Sequence, residues 1–314
     1  MSILYILAGF VILVFGGETL VNGSVAVARR LNMPSLVIGV VLVGFGTSTP
    51  ELVTSIEAGL QNSPGIVVGN IIGSNIANVL LVAGAGALVL PMVRPAGFMR
   101  DSLVLTAATA LFIGVAFTGT MTRGMGVLFV AMLVIYLAYL IVSEQRRHKA
   151  QREAVQSVTF EQPVRSLPVG AAYAIAGIGM TILGAKLLVM GATEIALELG
   201  VSETVIGLTI VAIGTSLPEM ATAIVAGRKG ETDVAMGNIM GSNIYNILAI
   251  LGITALVKPI AIAPEILRLD IWVLTAAMAL VIILPLWRGQ INRRTGSVFL
   301  AAYGAYLCGL YLMA

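Results

Sequence analysis

The chain has 314 residues, of which 58% are hydrophobic and 11% charged, with a mean hydropathy of +1.01. Soluble domains carry about a quarter charged residues, so a soluble globular class is excluded. A single cysteine, Cys308, excludes an intrachain disulfide and a thiolate cluster, and a single histidine, His148, excludes a two-histidine metal site. Ten apolar segments follow in chain order: 3–28, 35–60, 66–90, 102–118, 124–142, 168–198, 203–226, 233–257, 270–288 and 296–313. Helices of about 17–25 apolar residues cross a hydrocarbon core of roughly 30 Å. The first begins at Ile3 with no basic stretch before it and no small-residue cleavage site after it, and reads as a retained span. The one extended polar interruption, 143–167, carries Arg146, Arg147, His148, Lys149 and Arg152 and divides the spans five and five. The expected fold is all-α and integral to the membrane, with ten transmembrane helices in two five-helix repeats, 1–142 and 168–314.

The charge pattern orients this plan. With the 143–167 loop cytoplasmic and the other connections alternating, Arg29, Arg30, Arg94, Arg100, Arg146, Arg147, Lys149, Arg152, Arg165, Arg228, Lys229, Arg288, Arg293 and Arg294 fall inside. Only Arg123, Lys258 and Arg268 fall outside, with Lys186 inside a span. That is a strong positive-inside bias. It places both termini outside a cell (inner) membrane that the chain crosses repeatedly. It also accounts for the pI of about 9.1 without a nucleic-acid partner.

An internal repeat constrains the plan further. Val37–Val89 aligns with Val205–Val257 without a gap, at an offset of 168 residues and with about half the positions identical. The first copy reads VIGVVLVGFGTSTPELVTSIEAG and continues to GNIIGSNIANVLL; the second reads VIGLTIVAIGTSLPEMATAIVAG and continues to GNIMGSNIYNILA. Five spans separate corresponding points, and five is odd, so the copies cross the membrane in opposite directions. Inverted repeats are the plan of two-sided transporters with a site near the midplane. A duplicated scaffold would preserve apolar packing faces. Here the shared residues are polar or helix-breaking.

Those residues point to a cation. Thr47, Ser48, Pro50 and Glu51 lie near the middle of the second span, and Thr215, Ser216, Pro218 and Glu219 repeat them in the seventh. An uncompensated carboxylate at the bilayer centre costs at least about 2.5–3.5 kcal/mol, so such residues mark functional sites. Proline lacks an N–H and releases carbonyls upstream, near Phe45 and Gly46. Carbonyl, hydroxyl and carboxylate oxygens together suit hard cations such as Na⁺ and Ca²⁺. Ser74 and Asn78 are four apart and share a helical face, as do Ser242 and Asn246, and each faces a glutamate in the mirrored arrangement. Gly73 and Gly241 permit close helix approach, while Gly69, Gly237, Asn70, Asn75, Asn238 and Asn243 also suit packing and hydrogen bonding between helices.

The paired motifs resemble the alpha-repeats of the Ca²⁺/cation antiporter superfamily, the sodium/calcium exchangers and their bacterial relatives. The resemblance covers essentially the whole chain. It implies that the second, third, seventh and eighth spans hold the ions while the first and sixth slide across them. By position it makes Glu51 and Glu219 the central Ca²⁺ ligands, with the Thr47 and Thr215 carbonyls beside them. It lines flanking Na⁺ sites with the Gly44 and Ala212 carbonyls and the Ser48, Ser74, Ser216 and Ser242 hydroxyls. Many members carry Asp where this chain has Asn246. With Asn78 and Asn246 both neutral, the site has a formal charge of −2, matched by one Ca²⁺, two Na⁺ or two protons. That charge speaks against potassium coupling, and it gives three-to-one electrogenic exchange no support of its own.

The expected activity is Ca²⁺ extrusion driven by Na⁺ through alternating access. A proton-driven Ca²⁺ or other divalent antiporter is the alternative, and a passive cation channel is a third reading from another class. No cofactor is expected, and nothing resembles an enzyme's activated nucleophile. The expected partners are Ca²⁺, Na⁺ and the surrounding bilayer; the sequence leaves the oligomeric state open, a monomer being one option. Glu18 and Lys186 occupy corresponding positions in the first and sixth spans: Lys186 reads as a snorkelling side chain and Glu18 as a gating candidate.

Overall fold

A computed structural model describes residues 1–31, 33, 35–154, 166–199, 212–267 and 269–313. Apart from four two-residue strands, the regular structure of these residues is helical. Seven described helices are long and apolar enough to span a membrane, and one bent pair makes an eighth. In chain order, α1 is Ser2–Leu31, the bent pair is α2 (Leu36–Thr47) and α3 (Thr49–Leu60), and α4 is Pro64–Val89. Then come α5 (Phe98–Phe117), α6 (Arg123–Ala154) and α7 (Leu167–Glu198). The second half continues with α8 (Ala212–Thr215), α9 (Leu217–Arg228), α10 (Thr232–Val257), α11 (Asp270–Arg288) and α12 (Arg293–Met313). The beginning of the predicted seventh span lies outside the described residues.

Two ends differ from the sequence reading for identifiable reasons. α6 runs twelve residues past the predicted end at 142, because Ser143–Ala154 is rich in Glu, Gln, Arg, Lys and Ala, which sustain a helix beyond the hydrocarbon. α5 begins at Phe98, four residues before the predicted 102, where Gly97 takes φ +88° and turns the chain into the helix.

Burial separates the helices into a centre and a periphery. In α10 and α4, 89% and 72% of the most apolar stretch is buried, against 28% in α1 and 33% in α7. α10 and α4 therefore form the core, and α1 and α7 present much of their surface outward to lipid. α1 and α7 pack on each other antiparallel along a glycine seam. A Cβ at Gly23 would sit 2.3 Å from the Ala174 nitrogen, and one at Gly177 would sit 2.3 Å from the Leu20 nitrogen. Backbones this close leave no room for side chains between them.

The two halves of the chain interlock. The second part of α4 packs on α12, and the second part of α10 packs on α6. At the first crossing a Cβ on Gly296 would meet the Gly84 carbonyl at 2.7 Å; at the second, one on Gly126 would meet the Gly252 carbonyl at 2.8 Å. Gly84 and Gly252 stand at corresponding positions of the repeat. The strands follow the same exchange. β1 (Met92–Val93) pairs antiparallel with β4 (Gln290–Ile291), and β2 (Thr120–Met121) with β3 (Ile260–Ala261). β1 and β2 sit at opposite ends of α5, so the two ribbons lie at opposite ends of the bundle.

Two polar clamps tie the fourth and fifth helices of each half. Buried Asp101 accepts from Arg100 Nε at 2.8 Å and from the Tyr136 hydroxyl at 3.0 Å, and Asp270 accepts from the Tyr306 hydroxyl at 2.9 Å. At the periphery, Lys229 Nζ donates to Glu18 Oε1 at 3.3 Å and to Asn22 Oδ1 at 2.6 Å, joining the turn after α9 to α1. Arg29 reaches Glu231 at 3.8 Å at the same place.

Candidate ion-binding site

The second span does not cross as one helix. Pro50 cannot donate to the carbonyl four residues back, and α2 gives way to α3 at Ser48 (φ −84°, ψ 10°) with a bend of 44°. Ser216 takes nearly the same conformation (φ −89°, ψ 2°) between α8 and α9, ahead of Pro218. Each break starts a new helix whose first turn carries the glutamate, Glu51 in α3 and Glu219 in α9. A carboxylate there faces the positive end of the helix dipole and its free N–H groups.

Both glutamates are buried, as are Thr47, Ser48, Ser74, Asn78, Ser216, Ser242 and Asn246. The two carboxylates lie within electrostatic reach of each other. Ser48 donates to Glu219 Oε1 at 3.0 Å, so a hydroxyl of the first motif holds the carboxylate of the second. Ser242 donates to the Gly44 carbonyl at 3.3 Å, which also accepts the Ser48 N–H at 3.2 Å. Gly44 is thus engaged by protein donors in this conformation. Thr215 is half-buried at the end of α8, and Ala212 begins that helix.

What these oxygens lack is donors. Both oxygens of Glu51, Oε2 of Glu219, Oγ of Ser216 and the whole amides of Asn78 and Asn246 have no hydrogen-bond partner among the described residues. Buried polar atoms are ordinarily paired, since an unsatisfied one costs about 1–3 kcal/mol and a charged one more. Other such atoms are single ones on Ser24, Asn75, Ser102, Thr193, Asn243 and Thr254, whereas Glu51 with Glu219 and Asn78 with Asn246 carry them at corresponding positions of the two motifs, and most of these are acceptors. An oxygen-rich, donor-poor, dehydrated cluster is satisfied by a cation. Among the described residues, no group of three or more His, Cys, Asp or Glu could hold a metal ion. Two carboxylates and neutral oxygens are what a cation would find.

The backbone around the cluster is widened. Gly39–Gly44, Asn78–Ala83 and Asn246–Ile250 are π-helical, and the last two begin on the orphaned asparagines themselves. Single π turns inside α-helices occur frequently at functional sites. α2 reaches the cluster only because α10 lets it approach: a Cβ on Gly241 would meet Val40 Cα at 2.7 Å. At Gly73 nothing lies within 4 Å among the described residues, and its mirror partners, 205–211, lie outside them.

A model of the family described as sodium/calcium exchanger protein matches residues 1–142 and 169–312. The chain belongs to the sodium/calcium exchanger family. As a member it is a membrane transporter and not an enzyme. This exchanger is 32% identical over 344 residues to sodium/calcium exchanger MaX1 of Methanosarcina acetivorans, covering 99% of its own length and 98% of that relative. It is 34% identical over 318 residues to inner membrane protein YrbG of Escherichia coli K12, covering 98% and 96%. Its helices superpose on the sodium-calcium exchanger NCX_Mj, soaked with 2.5 mM Na⁺ and 0.1 mM Ca²⁺, with a TM-score of 0.83 at 31% identity, covering 98% of each chain. The exchanger thus has an all-helical transporter fold.

Two residues of this exchanger do work that the motif alone leaves open. Asn70 donates to the Glu51 carbonyl at 3.1 Å and to the Ser55 hydroxyl at 2.9 Å. Asn238 donates to the Glu219 carbonyl at 3.2 Å and accepts from the Thr47 hydroxyl at 3.3 Å. Each pins the glutamate-bearing turn of its own half from the following helix. The signal is an asparagine nineteen residues after each glutamate, present in both copies. Asn75 and Asn243 instead donate to the carbonyl of their own preceding turn, each at 2.7 Å.

Proposed function

We propose that this exchanger carries Ca²⁺ across the membrane in exchange for Na⁺, by alternating access to one buried site. The observation that supports it is the convergence of Glu51 and Glu219, from corresponding positions of the two motifs, on a cluster in which both Glu51 oxygens, Oε2 of Glu219 and the amides of Asn78 and Asn246 have no hydrogen-bond partner among the described residues. Two carboxylates with surrounding hydroxyl and amide oxygens match the charge and ligand type of Ca²⁺. The ions are held by Glu51, Glu219 and the carbonyls of Thr47 and Thr215, with Ser48, Ser74, Ser216, Ser242, Asn78, Asn246, Gly44 and Ala212 lining the flanking positions.

The chain crosses the membrane ten times, as two inverted five-helix repeats with both termini outside. The contacts between connections support this plan. Numbered along the chain, the third connection touches the ninth (β1 with β4) and the first touches the seventh (Arg29 with Glu231). The fourth touches the eighth (β2 with β3), and the second also touches the eighth, through Lys258 and Asn62. Odd meets odd and even meets even, as alternating spans require. β1 and β3 follow corresponding helices yet lie at opposite ends of the bundle, as inversion requires.

The test is flux in proteoliposomes. Vesicles loaded with Na⁺ should take up labelled Ca²⁺, with Glu51→Gln and Glu219→Gln inactive; uptake indifferent to the Na⁺ gradient would reject Na⁺ coupling. Neutral Asn78 and Asn246 favour a second reading, in which the two carboxyls carry two protons against one Ca²⁺. A pH jump without Na⁺ separates the two.

A further inference from the structure

We propose that this exchanger is electroneutral, moving two Na⁺ per Ca²⁺, and that the neutral side chain of Asn246 sets that ratio. The proposal rests on the Na⁺/Ca²⁺ reading above and goes beyond it to the count of ions.

The charge of the buried site follows from the described side chains. Among the described residues the fully buried ionisable side chains are Glu51, Glu219, Asp101 and tyrosines. Asp101 is outside the cluster and is already answered by Arg100 at 2.8 Å. No described Lys, Arg or His is buried, so nothing basic offsets the two glutamates. In the undescribed stretch Gly200–Val211 the sequence supplies a single charge, Glu203. With both glutamates ionised, the described residues therefore give the site a charge of −2 and no more.

Asn78 and Asn246 are buried at the start of the π turns with both amide atoms unpaired among the described residues. They can lend a carbonyl oxygen to a cation but no charge. Loaded with one Ca²⁺ or with two Na⁺, the occluded site is neutral, and both translocating forms cross the hydrocarbon at equal charge. A third Na⁺ would have to be occluded with a net positive charge at bilayer depth, with no carboxylate to meet it, which is the costly arrangement.

The experiment measures the Ca²⁺ ratio at which flux stops in proteoliposomes of wild-type protein. A tenfold Na⁺ gradient should sustain about a hundredfold Ca²⁺ ratio at two-to-one and about a thousandfold at three-to-one. A tenfold K⁺ gradient with valinomycin should leave that ratio unchanged at two-to-one, and shift it about tenfold if one net charge moves per cycle. A cubic dependence, or a tenfold shift with potential, overturns the proposal while leaving Na⁺/Ca²⁺ exchange standing. A failure of any Na⁺ gradient to drive Ca²⁺ uptake overturns the exchange reading itself. Asn246→Asp should make the ratio potential-sensitive by restoring a site for a third cation. An active Asn246→Asp protein still insensitive to potential removes Asn246 as the determinant. Asn78→Asp, at the symmetry-related position, makes the same measurement if the first variant does not fold.

Discussion

Replacing Glu51 with Gln should stabilise the ion-free protein and remove its response to Ca²⁺. Both Glu51 oxygens are buried without a donor among the described residues, whereas one Glu219 oxygen is held by Ser48 at 3.0 Å. Gln keeps the shape and removes the uncompensated charge, and relief of an unsatisfied buried group is worth about 1–3 kcal/mol. Ligand stabilisation moves the other way. At Ca²⁺ a hundredfold above Kd, the wild type should gain about 2.7 kcal/mol. Removing one of two buried carboxylates that hold a cation costs on the order of 3–5 kcal/mol, or more than a hundredfold in Kd. At the same Ca²⁺ concentration the variant should then gain less than about 0.4 kcal/mol. Thermal unfolding in detergent, with and without Ca²⁺, reads both quantities. An Asp101→Asn protein is the control, because Asp101 is buried but lies in the α5–α6 clamp. A Glu51→Gln protein with an undiminished Ca²⁺ shift would refute the assignment of this carboxylate to the ion.

Asn238→Ala should cost about 1–3 kcal/mol in unfolding and weaken Ca²⁺ stabilisation, since it frees the Glu219 carbonyl and the Thr47 hydroxyl together; an unaltered Ca²⁺ response would make the contact purely structural. Gly241→Ala places a methyl 2.7 Å from Val40 Cα and should lower stability by about 1–3 kcal/mol, measured by the same melt. Glu18→Gln releases Lys229 from a partly exposed ion pair, so stability should stay within about 1 kcal/mol while turnover changes. Equal turnover would take Glu18 out of the gating question. Tyr136→Phe should cost about 1 kcal/mol and leave Ca²⁺ flux intact.

Much of the site can be read from residues alone because its chemistry is expensive and repeated. A Pro-Glu step inside an apolar span has few structural uses, and two copies at a fixed offset bring Glu51 and Glu219 to notice before any coordinates. Backbone detail is hidden. Nothing in VLLVA or ILAI distinguishes a π turn from an α turn, because the difference is which carbonyl each N–H selects once the asparagine is buried. The carbonyl of Phe45, which proline chemistry marks as released, is met by the Thr49 hydroxyl at 3.3 Å. A side chain one turn away satisfied it, and periodicity does not register that. The paired strands are two residues long and sit in connections, too short for an alternating pattern to show. The extension of α6 was masked by its charge: a polar segment reads as loop when the hydrocarbon boundary, and not helix propensity, is the guide.

The crossed pairing of the strands bears on how such a chain could have arisen. Each half supplies one strand to either ribbon, one glutamate to the cluster and a fifth helix that covers the other half's core. A single half would present an open ribbon edge at each water boundary and half a charge complement in its interior. On the inverted plan proposed above, its complement is a second copy of itself, upside down in the same bilayer. On that plan, two such halves as separate chains would have to insert in opposite directions, and a join between α6 and α7 fixes one orientation for each.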